Sequence, residues 1–366
     1  MNQEKKRILE MVKEGLLNAD EALLLLDQIE KKDKLIKEDE QQSETSELST
    51  VVKSGESGHQ EAPSKKSAST MDKLLGIVDD VVQKIKDVDF DFNFGNAVDL
   101  EHIFHQDNVS LRKIDVDLAN GSVQFLPWDK NEITIECHAK VYRSETTAEA
   151  RAKLLKEVTF SLEQGKLRFA LQDKSIKLKT TIRVPDTRYE ELKIRLFNGT
   201  ITGENVKVDT IKTKTGNGQI LFTGFNAREA EFETVNGAVN IKDFEAGELE
   251  VETMNGAMQI HGGFRKGDLQ SINGSIQCEQ TGRYGETIRA KASAGSITLQ
   301  IPANTGCDGE LKSNLGSFNI DLKGIHVIEE KSDVVQKMLR FQSEGEYEQS
   351  IHILAESRAG NIKIKH

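Results

Sequence analysis

Aromatic residues are scarce, 5% of 366, with a single tryptophan at Trp128, so a large core must be built from thin aliphatic layers. Proline is rarer still, at 4 residues; Pro185 and Pro302 are expected to mark loops. No apolar run approaches the roughly eighteen residues that a membrane-spanning helix needs. Glu10, Lys13 and Glu14 stand where an export signal would place its apolar core, so no conventional secretion signal is expected. The three cysteines are odd in number and far apart. Cys137 and Cys278 fall on the inward phase of alternating segments and are expected as buried thiols, whereas Cys307 is expected in an exposed turn. That usage suits a reducing compartment and hence a cytoplasmic location, at most peripheral to the membrane or cell envelope. A basic surplus is missing too. Lys and Arg total 49 against 60 Asp and Glu, a net charge of −11, which argues against general nucleic-acid binding.

Motifs that carry chemistry are also lacking. There is no Gly-x4-Gly-Lys-Ser/Thr, no Gly-x-Ser-x-Gly and no Cys-x2-Cys. Gly216-Asn217-Gly218 starts like a nucleotide loop, but no third Gly follows. His102 and His105 could ligate a metal from one helix face, yet in a strand they point opposite ways. Asp115, Asp117 and Asp129 are the nearest thing to the paired acids of a polysaccharide-acting enzyme, and they equally suit ordinary solvent-facing strand positions. No catalytic, metal-binding or cofactor-binding residue is expected, and no cofactor.

What the chain does have is a repeat. Gly199, Gly218, Gly237, Gly256, Gly274, Gly295 and Gly316 follow one another at intervals of 19, 19, 19, 18, 21 and 21 residues. Gly121 precedes them by 78 residues, about four steps, and Gly360 follows by 44, about two. Two residues after each Gly stands an apolar side chain, as at Val123, Ile220, Val239 and Ile276. Four residues after comes usually another, as at Phe125, Phe222, Ile241 and Cys278. Upstream, Phe232, Val251 and Leu269 lie five residues before the Gly, and Thr215, Thr234, Thr253 and Ser271 three before. Each unit therefore reads as strand, tight corner, strand with period-two alternation.

The corners pair Asn with Gly: Asn198-Gly199, Asn217-Gly218, Asn236-Gly237, Asn255-Gly256 and Asn273-Gly274. These are expected to be structural, with Gly accepting positive φ and the Asn amides forming ladders. Asn-Gly also signals antiparallel hairpins, but hairpins would give a shorter period. The expected fold is mainly β, a parallel β-solenoid with a small N-terminal α-helical hairpin.

Four segments follow. Residues 1–35 read as the helical hairpin, the second helix opening at Asn18 with Glu21 three residues on. Residues 36–70, polar and free of aromatics, read as a disordered linker. Residues 71–99 hold an amphipathic helix and a capping strand, and residues 100–366 the β-solenoid repeat domain. Within the last, a helix is expected near Thr146–Glu157, with Ala148, Ala152, Leu154 and Leu155 apolar. The tail Gly324–Glu348 departs from the repeat.

Charge is zoned along the repeats. Residues 174–214 are rich in Lys and Arg, while residues 228–252 are rich in Glu. Glu229, Glu231, Glu248, Glu250 and Glu252 are thus candidate contacts for a partner, such as a cationic peptide or an envelope component. An ordinary solvated face is the alternative.

The stretches Ile8–Gly15 and Ala19–Leu26 resemble the short helical module that opens YvlB/LiaX-like proteins of Gram-positive bacteria. The Asn-Gly repeats, with Asp89–Gly95 before them, resemble the "putative adhesin" β-strand-repeat domain of that family. The resemblance implies a non-enzymatic protein of the cell-envelope stress response. The expectation is a binding and regulatory protein: the solenoid is its platform, and the hairpin docks to a protein partner or to another copy. A self-assembling structural solenoid is the alternative, and a polysaccharide-acting enzyme comes third.

Overall fold

The computed structural model describes residues 96–333 and 336–366. The expected hairpin, the linker and nearly all of residues 71–99 lie outside the described residues. Within them the chain is mainly β, with twenty-one strands and one helix.

The repeat strands pair in parallel at the spacing of the corners. Asn236 stands beside Asn217 on one side and Asn255 on the other, and Asn255 beside Asn273. The strand that follows each corner does the same, Val239 lying between Ile220 and Met258. The antiparallel alternative does not apply to these corners. Inward side chains form a continuous interior in which Ile211, Phe232, Val251 and Leu269 are essentially inaccessible. Phe225, Phe244 and Phe264 stack from coil to coil, with ring centroids 4.8 and 6.3 Å apart.

At most corners Gly is needed for a reason other than the positive φ expected, which holds at Gly121, Gly199 and Gly295. Gly121 and Gly199 have φ of 137°, but Gly218, Gly237 and Gly256 do not take positive φ, nor does any corner Asn. The constraint there is close approach: a Cβ on Gly237 would fall 1.9 Å from the carbonyl oxygen of Gly218, and one on Gly256 equally near that of Gly237. Side chains fix the same stacking. Asn198, Asn217, Asn236, Asn255 and Asn273 each donate an amide to the Asn of the preceding coil over 2.7–2.9 Å. Thr215, Thr234 and Thr253 donate hydroxyls to the carbonyls of Gly199, Gly218 and Gly237.

Stacking order and chain order differ at both ends. Gly121 pairs directly with Gly199, so the 78 residues between them supply no intervening coil. They turn back, and Lys166–Leu171 and Ile176–Pro185 build a coil on the far side of Lys113–Trp128. At the other end, Ile362 lies between Ile297 and Phe318, so the last repeat is threaded between the Gly295 and Gly316 coils. Counting four and two steps from the Gly intervals was therefore wrong.

Antiparallel strands cover the outer coils. Glu132–Tyr142 pairs with Ile176–Pro185 and then with Ala97–Asp107, Thr159–Glu163 covers Lys166–Leu171, and Lys337–Ser343 covers Gly306–Ser313. This protects open β edges from adventitious pairing. The helix Thr147–Glu157 is closed by a capping box between Thr146 and Glu149. It buries Ala150 and Leu154, while Ala148, Ala152 and Leu155 face outward. Pro185 ends a strand, and Pro302 lies outside any strand. Cys307, expected to be exposed, is buried on the inward phase of Gly306–Ser313, beside Ile351, and its backbone amide donates to Ser343 Oγ of the covering strand.

Candidate binding groove

Parallel registry turns a sequence interval into a spatial column. Positions eight and six residues before each corner Gly lie on the outer face of consecutive coils. The first column runs Thr210, Glu229, Glu248, Lys266, Thr287, and the second Lys212, Glu231, Glu250, Asp268, Arg289. With neighbouring strands about 4.8 Å apart, five carboxylates gather in the middle with cations at both ends. Together these two columns line a groove of about 540 Å³.

Four of the five candidate contacts, Glu229, Glu231, Glu248 and Glu250, line this groove. Glu252 does not: it is 2% exposed and stands in the next column toward the corner, four residues before its Gly. Lys266, Asp268 and Arg289 were missed, although reading the template at positions six and eight before each Gly would have found them. Glu229 pairs with Arg228, and Glu248 with Arg265, at 3.2 and 3.3 Å. Asp268 and Arg289 are 3.7 Å apart.

The basic end meets the acidic centre at Lys212, Lys214, Glu231 and Glu233. Lys212 and Lys214 reach Glu231 at 2.9 and 2.7 Å, and Lys214 also holds Glu233. Burial raises the Glu231 carboxyl, but hydrogen bonds with Glu233, Lys214 and Lys212 outweigh it and hold the group below its ordinary range. Glu233 goes the other way: burial, then the adjacent Glu231, push it up to about 8.

A family profile described as Toastrack DUF4097 matches residues 111–365. The chain belongs to the Toastrack DUF4097 family. A SHOCT-like domain profile matches residues 3–34. Among relatives, the uncharacterised protein YvlB of Bacillus subtilis (strain 168) is 42% identical over 367 residues, covering 100% of this chain and 99% of that one. Structural likeness is looser. A "putative adhesin" from Bacteroides fragilis NCTC 9343 is 12% identical, covers 74% of this chain and 97% of its own, and reaches a TM-score of 0.41. A "putative lipid binding protein" from Parabacteroides distasonis ATCC 8503 is 13% identical over 74% of this chain and 98% of its own, also at 0.41.

Two of the three acids weighed for catalysis in this Toastrack domain, Asp115 and Asp117, are engaged in ion pairs. Asp115 contacts Arg168 at 2.6 Å and Lys166 at 3.2 Å. Burial opposes its ionisation, but hydrogen bonds from Lys166 and Arg168 and their charges win, and the carboxyl sits below its usual range. Asp117 is shared by Arg195 at 2.7 Å and Arg168 at 3.4 Å. These pairs cross between coils and tie them together. Asp129 is exposed in the turn after Trp128. His102 and His105 lie in Ala97–Asp107 an odd number of residues apart, hence on opposite faces; His102 packs edge-on against Phe104.

Proposed function

We propose that this Toastrack protein is a non-catalytic binding and regulatory protein of the cell-envelope stress response. Its stacked coils form a solenoid platform, and residues 1–35 dock to a second protein or to another copy. The observation that carries this reading is the groove, whose acidic centre is flanked by Lys212 and Lys266 and by Arg289. Carboxylates repeating at the strand spacing suit an extended ligand bearing several cationic groups, a cationic peptide in the first instance. The stress-response role rests on the resemblance to YvlB/LiaX-like proteins. Three free, buried thiols suit a cytoplasmic site of action, peripheral to the membrane; no helix among the described residues is long and apolar enough to cross one. Against self-assembly by end-to-end stacking stand the antiparallel strands on the outer coils.

The test is titration of the full chain with a fluorescent oligolysine peptide at low and physiological salt. Replacing Glu229, Glu248 and Glu250 with Gln should weaken binding about tenfold or more and flatten its salt dependence. Equal affinity in the triple variant would remove the groove from the reading. Light scattering on the chain with and without residues 1–35 tests docking between copies: loss of a larger species on truncation supports self-association.

A further inference from the structure

The geometry points to a divalent transition-metal site, of the Zn²⁺ class, built by His105, Asp107 and Glu132 at the antiparallel end of the domain, away from the groove. His105 and Asp107 are two residues apart on Ala97–Asp107 and so share a face. Glu132 is the direct cross-strand partner of Asp107, and Thr134 that of His105. The three side chains converge: His105 Nε2 is 2.8 Å from Asp107 Oδ1 and 3.9 Å from Glu132 Oε2, and one ligand atom from each lies within 4.8 Å of the others. Ligand atoms around a tetrahedral Zn²⁺ bound at about 2.0–2.2 Å sit about 3.3 Å apart. The two separations from His105 straddle that value.

The surroundings are those of a prepared ligand set. The other ring nitrogen of His105, Nδ1, is 3.2 Å from Thr134 Oγ1, which orients the imidazole and leaves Nε2 toward the carboxylates. Glu132 is held at both ends: Trp128 Nε1 donates to its backbone carbonyl at 3.0 Å, and Lys130 approaches Oε1 at 3.3 Å. Oε2 remains directed at His105. Two carboxylates directly opposite across paired strands repel, and a bound dication removes that repulsion. An imidazole ligand favours Zn²⁺ and its neighbours over Mg²⁺ and Ca²⁺, which prefer oxygen. With three protein ligands, water completes the shell.

The test uses the full chain. Calorimetric titration with ZnCl₂ should reveal a tight site of one equivalent that H105A and D107N each weaken at least about tenfold, while H138A, at the exposed His138–Glu101 pair, leaves it unchanged. Trp128 is the chain's only tryptophan and adjoins Glu132, so Co²⁺ bound here should quench its fluorescence, with Zn²⁺ competing. MgCl₂ should do neither. Circular dichroism of each variant establishes that it is folded. Absence of Zn²⁺ binding at about 100 µM, or unchanged affinity and quenching in folded H105A, overturns the proposal.

Discussion

Gly360 rests on Gly295, although 65 positions separate their numbers: a Cβ on Gly360 would fall 2.1 Å from the Gly295 carbonyl oxygen. Gly316 leans on Gly360 in the same way, at 2.0 Å. The C-terminal repeat is therefore an internal coil, gripped on both sides by backbone that cannot retreat. Gly360→Ala should destabilise the domain by about 2–4 kcal/mol, read as a lower urea midpoint. Ending the chain at Gln349 should be worse, because it removes an inner layer. In a simple repeat array an end unit contributes one interface and an inner unit two, so cooperative melting of the truncated chain near the full-length temperature would contradict the threading.

The amide ladder makes a graded case. Asn236 donates to Asn217 at 2.7 Å and accepts from Asn255 at 2.8 Å. Its exposure lets water replace part of what is lost, so Asn236→Ala should cost about 1 kcal/mol. Asn236→Asp cannot donate and sets a charged oxygen against that of Asn217, so it should cost at least as much. Urea unfolding of the two variants measures the order.

Glu233 makes stability depend on pH. Its carboxyl lies at about 8 in the folded chain against an ordinary 4.5, so the folded state binds the extra proton more tightly. That contribution is complete below pH 4.5 and is lost as pH rises through about 8. Glu231, held below 4.5, acts oppositely: its contribution is present above 4.5 and lost as pH falls through its folded value. Between pH 5 and 9 the melting temperature should therefore fall less steeply in Glu233→Gln than in the parent chain. Parallel melting curves for the two would mean that the Glu233 carboxyl is not raised in the folded chain.

The thiols should be inert in the folded state. Burial pushes Cys137 and Cys278 up to about 12 and raises Cys307 as well, so little thiolate forms at pH 8. Ellman's reagent should label all three only after denaturation. Rapid labelling of one equivalent in the native protein would mean that the strand Lys337–Ser343 does not stay over Cys307.

The periodic Gly and the alternating apolar positions pointed to stacked strands, a thin aliphatic interior and corner amide ladders, since one template recurs in register, and the helix at Thr147–Glu157 was legible from its own local sequence. Only the tertiary structure decided which coil stacks on which. An in-register parallel ladder can accept any strand with the right face, so Ile362–Lys365 could enter between Ile297–Gln300 and Phe318–Asp321 without any mark in the intervals. The same holds for function. The acidic band was legible as composition, but its division into groove-lining Glu229, Glu231, Glu248 and Glu250 and buried Glu252, on the same strand face but two residues nearer the corner, was not. His105, Asp107 and Glu132 met because antiparallel pairing brings opposite strand ends together, and strand pairing is a property of the folded chain alone.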